Sequence, residues 1–380
     1  MSCVSAADYT DREVDKAVEA LVTRGPRVER KPLLERVDAV LPIAIERFEG
    51  NESSLKILTQ IQKSVTEKLS ICISETPEQA FSKFGLSTDT SIRSIELEEI
   101  LSGGPPKNGI PALYDPKFVS IEQANQENYL ADISEWIVIY AGDRKKFYPY
   151  NILNRHEIVN DTVAWEPIAI TFCPLCGTAI AFEREFDGQA VNFGVSGQLY
   201  NSNLLMYDDQ SESLRSQATW RWVAWFYTDF QLEYVDSDVL TYWDFTSKHP
   251  DGLVLSSDTG HERKYGLQSP YGDYDTNNDL FFPVSNIDSS LPKKTLLFVA
   301  NDTQENKSVA FIKESLQSTE TASIDADGVI YTATYNGGEV EVLRNGVKLN
   351  SFNQMRFSWT AHESYPRYLW GQDEFNALEE

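Results

Sequence analysis

The chain has 380 residues, with 33 Lys and Arg against 58 Asp and Glu, a formal net charge of -25, and 12% aromatics. That much negative charge repels phosphate backbones and anionic head groups, which argues against nucleic-acid and membrane-surface binding. No apolar run reaches the roughly 20 residues of a bilayer span, so no membrane insertion is expected, and 4 cysteines over this length do not make a disulfide framework.

From the N-terminus the pattern is helical. Val14, Val18, Leu21 and Val22 share one helical face, and Gly25-Pro26 ends that stretch. Amphipathic stretches follow from Pro32 to Phe48 and from Ser53 to about Cys72, and Thr76-Pro77 opens a fourth with Thr as cap. A small helical unit is therefore expected over residues 1–92, free of catalytic groups and suited to docking a protein partner. Cys72 lies in the apolar run Leu69–Ile73 and reads as an inert buried thiol. The first residues lack the basic and then apolar regions of a leader, so the sequence as it stands implies a cytoplasmic protein. An exported or periplasmic one is the alternative if the N-terminus has been trimmed.

Near residue 95 the texture changes. Gly103-Gly104-Pro105-Pro106 is turn chemistry. After it, short aromatic and β-branched runs predict strands, among them Trp136–Tyr140, Ile168–Phe172, Thr178–Phe182 and Val191–Val195. Phe357–Ala361 reads as a further aromatic strand. The fold class expected is α+β, with a β-rich domain over residues 93–380 behind the helical unit. A faint repeat runs through it: residues 136–197 go strand, turn, Lys-rich strand, short helix, strand, turn, strand, and residues 295–352 echo that order.

The chemistry concentrates in Phe172-Cys173-Pro174-Leu175-Cys176-Gly177. Two residues between cysteines let both sulfurs converge from a tight loop, which suits a soft metal or a reversible disulfide. Cys173 and Cys176 are the expected working pair, against the alternative of two inert, packed thiols in a binding or scaffold protein. His156, on a short helical segment before the cysteine strand, is a candidate base or third ligand. Met206 is a candidate soft ligand, with core packing the plainer reading. These four side chains favour copper, with zinc second because no further pair of cysteines or histidines has zinc spacing. His249 precedes the turn Pro250-Asp251-Gly252 and reads as structural, His261 follows the turn Asp258-Thr259-Gly260 and reads as pointing to solvent, and His362 has no assigned role. Gly194 and Gly197 do not frame Ser196 as a hydrolase elbow.

Several strings resemble one family. His156–Val163, Thr171–Ala179, Phe193–Gly197, Tyr200–Asp208 and His249–Gly252, with Ile100–Pro106 and Ile110–Leu113 ahead of them, are similar to the bacterial family catalogued as domain of unknown function 3179. The resemblance covers about residue 95 to near the end. It implies relatives that are often exported, and it brings no established activity. The segment Trp220–Trp225 is more aromatic than the family pattern.

Overall fold

The computed structural model describes residues 93–371, apart from 133–134, 142–143, 187, 225–227, 229–231, 236 and 288–290. The helices expected over residues 1–92 lie outside the described residues. Two units are present. Of the first, residues 93–97, 211–215, 221–224 and 228 are described. There Arg93 bridges Ala224, Leu214 pairs with Ala224, and the Arg215 guanidinium lies 4.9 Å from the Trp222 ring centre.

The second unit is β-rich and contains one array of elements twice. The first runs β1 (Glu135–Ala141), β2 (Arg144–Pro149), α1 (Tyr150–His156), β3 (Ile158–Val163), β4 (Glu166–Cys173) and β5 (Thr178–Glu183). The hairpin of β6 (Phe193–Tyr200) and β7 (Asn203–Asp208) follows. The order then recurs as β8 (Leu296–Asp302), β9 (Lys307–Ile312), α2 (Lys313–Thr319), β10 (Thr321–Ala326), β11 (Val329–Asn336) and β12 (Glu339–Arg344), and β13 (Ser351–Met355) comes after. Details recur with the order. Glu157 and Glu320 cap the two helices at φ 59° and 62°, and each donates its N–H four residues back, to Leu153 and Leu316. Their carbonyls accept from Phe172 and Tyr335, both at 2.8 Å. The arrays differ at the next turn, where Gly337-Gly338 joins β11 to β12 but Pro174–Gly177 joins β4 to β5.

Each array closes on its own core. In the first, Ile137, Ile139 and Tyr148 pack with Val159, Ile168 and Ile170, and Ile152 and Leu153 of α1 join them. In the second, Phe298, Val309 and Phe311 pack with Ile324, Tyr331 and Val342 around Leu316. Each such side chain stabilises the fold by roughly 1.5–3 kcal/mol relative to exposure. Strands β4 and β5 are buried on both faces, which explains why they read as continuous apolar runs rather than alternating ones.

The eight-stranded sheet has the order Leu113–Tyr114, β3, β4, β5, β13, β8, β9, Arg367–Trp370. Strand β13 thus joins the two arrays, with Asn353 opposite Ala179 on one side and Phe298 on the other. The expected strand Phe357–Ala361 is instead helical, within Arg356–His362. Phe357, Ser358, Trp359 and Thr360 are all buried there, so the two-residue spacing of the aromatics does not report a strand with one exposed face.

Candidate functional site

Strands β4 and β5 pair down to Cys173 opposite Thr178. Beyond that pair the chain reverses through a turn closed by the Cys176 N–H on the Cys173 carbonyl at 3.2 Å. A β-turn of this kind holds its end Cα atoms within about 7 Å, a span a disulfide can bridge. Gly177 completes the reversal at φ +58°, where a Cβ would sit 3.1 Å from Leu296 and Met355. Met355 N–H donates to the Cys176 carbonyl at 2.9 Å, so β13 pins the turn. On its other side Tyr274 Oη donates to the Leu175 carbonyl at 2.9 Å. Tyr274 is itself braced by the Lys294 ammonium, which donates to its carbonyl and to Asn277 Oδ1.

Both thiols are buried, Cys173 at 2% and Cys176 at 0% exposure, and both are free. The donors converge on one of them. Asn203 follows the two-residue turn Asn201-Ser202, whose φ values of 47° and 60° suit the mirror-image turn of a tight hairpin. Its Nδ2 donates to Cys176 Sγ at 3.0 Å and to Gln217 Oε1 at 2.7 Å, while its Oδ1 accepts from the Ala218 N–H at 2.9 Å. Gln217 is fixed in turn, because its Nε2 donates to Thr171 Oγ1 and to the Thr178 carbonyl. The amide orientation is therefore forced: only the NH2 end of Asn203 can face the sulfur, and it can only donate. Thr178 Oγ1 lies 3.0 Å from the same sulfur, and the neighbouring Cys173 Sγ lies 3.9 Å from the Ser202 carbonyl.

Burial alone would raise the Cys176 pKa, but these hydrogen bonds favour the charged form and lower it to about 7. Cys173 moves the other way. Burial, its own hydrogen bond to Cys176 and the negative charge beside it hold its proton on. The pair is thus asymmetric, with Cys176 the readier of the two to lose its proton.

Glu157 is the third ionisable group of the site. It is 7% exposed, and its positive φ is a strained position for a non-glycine residue. Burial raises its pKa to about 7, the Tyr271 hydroxyl opposes that by donating to Oε1 at 3.2 Å, and the Cys176 charge adds to it. Glu157, Tyr271 and Leu175 border a cavity of about 440 Å³. The rest of its wall is largely apolar, with Ile110, Val195, Leu204, Phe281 and Phe282. Gly197, also in this wall, is required at φ +77°, because a Cβ there would run into the Pro105 carbonyl.

The structure brings Cys173 and Cys176 together and directs His156 elsewhere. His156 Nδ1 donates to the Pro111 carbonyl at 2.7 Å, and Nε2 accepts from Tyr265 Oη at 2.6 Å, which leaves neither nitrogen for a thiol or a metal. Burial lowers its pKa to about 4, which keeps the ring neutral. Met206 is fully buried on β7 opposite Val195. It lies on the face opposite to Asn203, since residues three apart on a strand point to opposite faces. Among the described residues no group of three or more His, Cys, Asp or Glu is arranged to hold a metal ion. His249 ends a short helix, 3.5 Å from Glu339, and the His261 N–H bonds Thr259 Oγ1. His362 ends the Arg356–His362 helix beside Tyr200. Among the described residues no helix is long and apolar enough to cross a membrane.

Sequence reasoning missed Asn203, Thr178, Gln217 and Glu157. The available signals were Thr178 two residues after Cys176 and Asn203 directly after a turn pair. A family model described as protein of unknown function (DUF3179) matches residues 107–366. No curated protein and no solved structure matches the chain.

Proposed function

This chain belongs to the family described as protein of unknown function (DUF3179), and we propose that it is a thiol-redox protein whose Cys173 and Cys176 pass between dithiol and disulfide. Cys176 attacks as the thiolate and Cys173 resolves. One observation carries the reading: the Asn203 amide, locked by Gln217 and Ala218, donates to Cys176 Sγ at 3.0 Å. A buried sulfur that only packs has no need of an oriented donor, whereas a thiolate out of water does. Both sulfurs are buried, and Leu175 between them borders a cavity; this favours a small-molecule partner over a protein disulfide, which needs an exposed thiol.

Copper, or zinc after it, would ask both sulfurs to give up their protons. More donors reach Cys176 than Cys173, and Cys173 keeps its proton, which favours the redox cycle over a metal thiolate. His156 serves this chemistry by position, anchoring the end of α1 from which Glu157 projects.

The test is oxidation of the reduced, metal-free protein with one equivalent of diamide, followed by peptide mapping. The expected product is a Cys173–Cys176 bridge, seen as the loss of two hydrogens, and Cys176→Ser abolishes it. Intact thiols after oxidation, or a bound soft metal that survives dialysis and blocks it, would overturn the reading.

A further inference from the structure

The backbone role of Glu157 does not require its side chain to be buried. Its N–H closes α1 and its carbonyl accepts from Phe172, and Glu320 makes the same two bonds in the second array with its side chain exposed. The fold therefore accepts this cap with the carboxyl in water, yet Glu157 is 7% exposed and borders the cavity. Its carboxyl meets Tyr271, another wall residue, whose hydroxyl donates to Oε1 at 3.2 Å, so the two form one polar corner of that wall. Among the described residues no hydrogen bond or ion pair reaches Oε2. We infer that the cavity binds an organic amine, its ammonium paired with the Glu157 carboxylate and its alkyl or aryl body against the apolar wall.

The wall selects the head group. Glu157 is its one carboxylate, and among the described residues no Lys, Arg or His borders it. An anion finds no positive partner there. A cation finds the carboxylate and three aromatic rings, Tyr271, Phe281 and Phe282, whose faces attract positive charge. Phe281 is kept at the wall by Tyr274, with ring centres 4.3 Å apart, and Tyr274 is tied to the Leu175 carbonyl.

The proton balance agrees. A buried carboxylate is costly without a positive partner, and burial raises the pKa of this one to about 7. An alkyl ammonium, at about 10.4, still keeps its proton beside it, so the two meet as ammonium and carboxylate. Leu175 and Leu204 give the body a dry surface, and about 440 Å³ falls in the range of small-molecule pockets. None of this asks Cys173 or Cys176 to face the cavity, so the inference stands apart from the thiol chemistry.

The test is calorimetric titration of the reduced full chain with phenylbutylamine, phenylbutanol and phenylbutyrate, which share one body and differ in head group. A pH of about 8 leaves Glu157 ionised and the amine protonated, and about 0.3 M NaCl screens the general attraction of an acidic surface for cations. The amine should bind about 10- to 100-fold more tightly than the alcohol, the scale of one hydrogen bond to a charged group, and the acid should bind most weakly. In Glu157→Gln the amine should fall to the level of the alcohol, whose own affinity should change less than about threefold. A parent that binds none of the three, or holds the alcohol or the acid as tightly as the amine, would overturn the inference. So would a Glu157→Gln chain that keeps the amine or loses the alcohol too. Each of these leaves the Cys173–Cys176 bridge to be judged by diamide, and thiols that stay intact in diamide leave the amine site standing.

Discussion

Replacing Thr178 by Val removes one donor to Cys176 at almost constant volume. The hydroxyl lies 3.0 Å from Cys176 Sγ, and a hydrogen bond to a charged acceptor contributes about 1.5–3 kcal/mol. Divided by 1.36 kcal/mol per unit, that is a rise of about 1–2 units in the Cys176 pKa. The sign follows from the cause: the bond favours the thiolate, so its loss leaves burial less opposed. The Cys176 carbonyl keeps its bond from Met355 N–H, so the stability cost should stay near 1 kcal/mol. The assay is the rate of iodoacetamide alkylation at Cys176 against pH, read by mass spectrometry. At pH 7 the thiolate fraction should drop about 5- to 50-fold, and the midpoint should move up. An unchanged or lowered midpoint in a folded variant would refute the assignment of Cys176 as a hydrogen-bonded thiolate.

Three further outcomes follow from the same geometry. Glu157, raised from 4.5 to about 7, contributes stability that is full below about pH 4.5 and is lost as pH rises to about 7; Glu157→Gln should remove that loss, about 3 kcal/mol by pH 7, seen as a higher Tm. His156, lowered from 6.5 to about 4, contributes in the opposite sense, fully above about pH 6.5 and lost toward pH 4; His156→Gln should therefore leave a chain whose Tm falls with rising pH over a window where the parent is nearly flat. Gly177→Ala meets both a left-handed φ and the side chains of Leu296 and Met355, and should cost about 1–2 kcal/mol in thermal unfolding while slowing formation of the disulfide.

What the sequence disclosed and what it hid divide along physical lines. The thiol turn was legible because its parts are local: two cysteines, a stiff Pro and a Gly within five residues. Strands β4 and β5 were legible because burial on both faces leaves unbroken apolar runs. The repeat was faint in composition, yet it is plain in the structure, where Glu157 and Glu320 take the same capping role. The donor set was hidden because Thr178 and Asn203, which reach the sulfur, and Gln217 and Thr171, which orient Asn203, come from separate segments, brought together only by the pairing of β6 with β7 and the chain after it. His156 drew attention as the residue that titrates near neutral pH, while its neighbour Glu157 is the one that faces the cavity. Phe357–Ala361 misled because aromatic content does not separate a buried helical turn from a buried strand, and Phe357 to Thr360 are all buried.

The most direct measurement is the thiolate absorbance near 240 nm, titrated with pH in the reduced parent and in Cys176→Ser, with the difference assigned to Cys176. A midpoint at about 7 is the expected result, with Cys173 still protonated well above it. A midpoint at or above the ordinary thiol value of about 8.5 would contradict a thiolate held by Asn203 and Thr178, and the redox assignment with it.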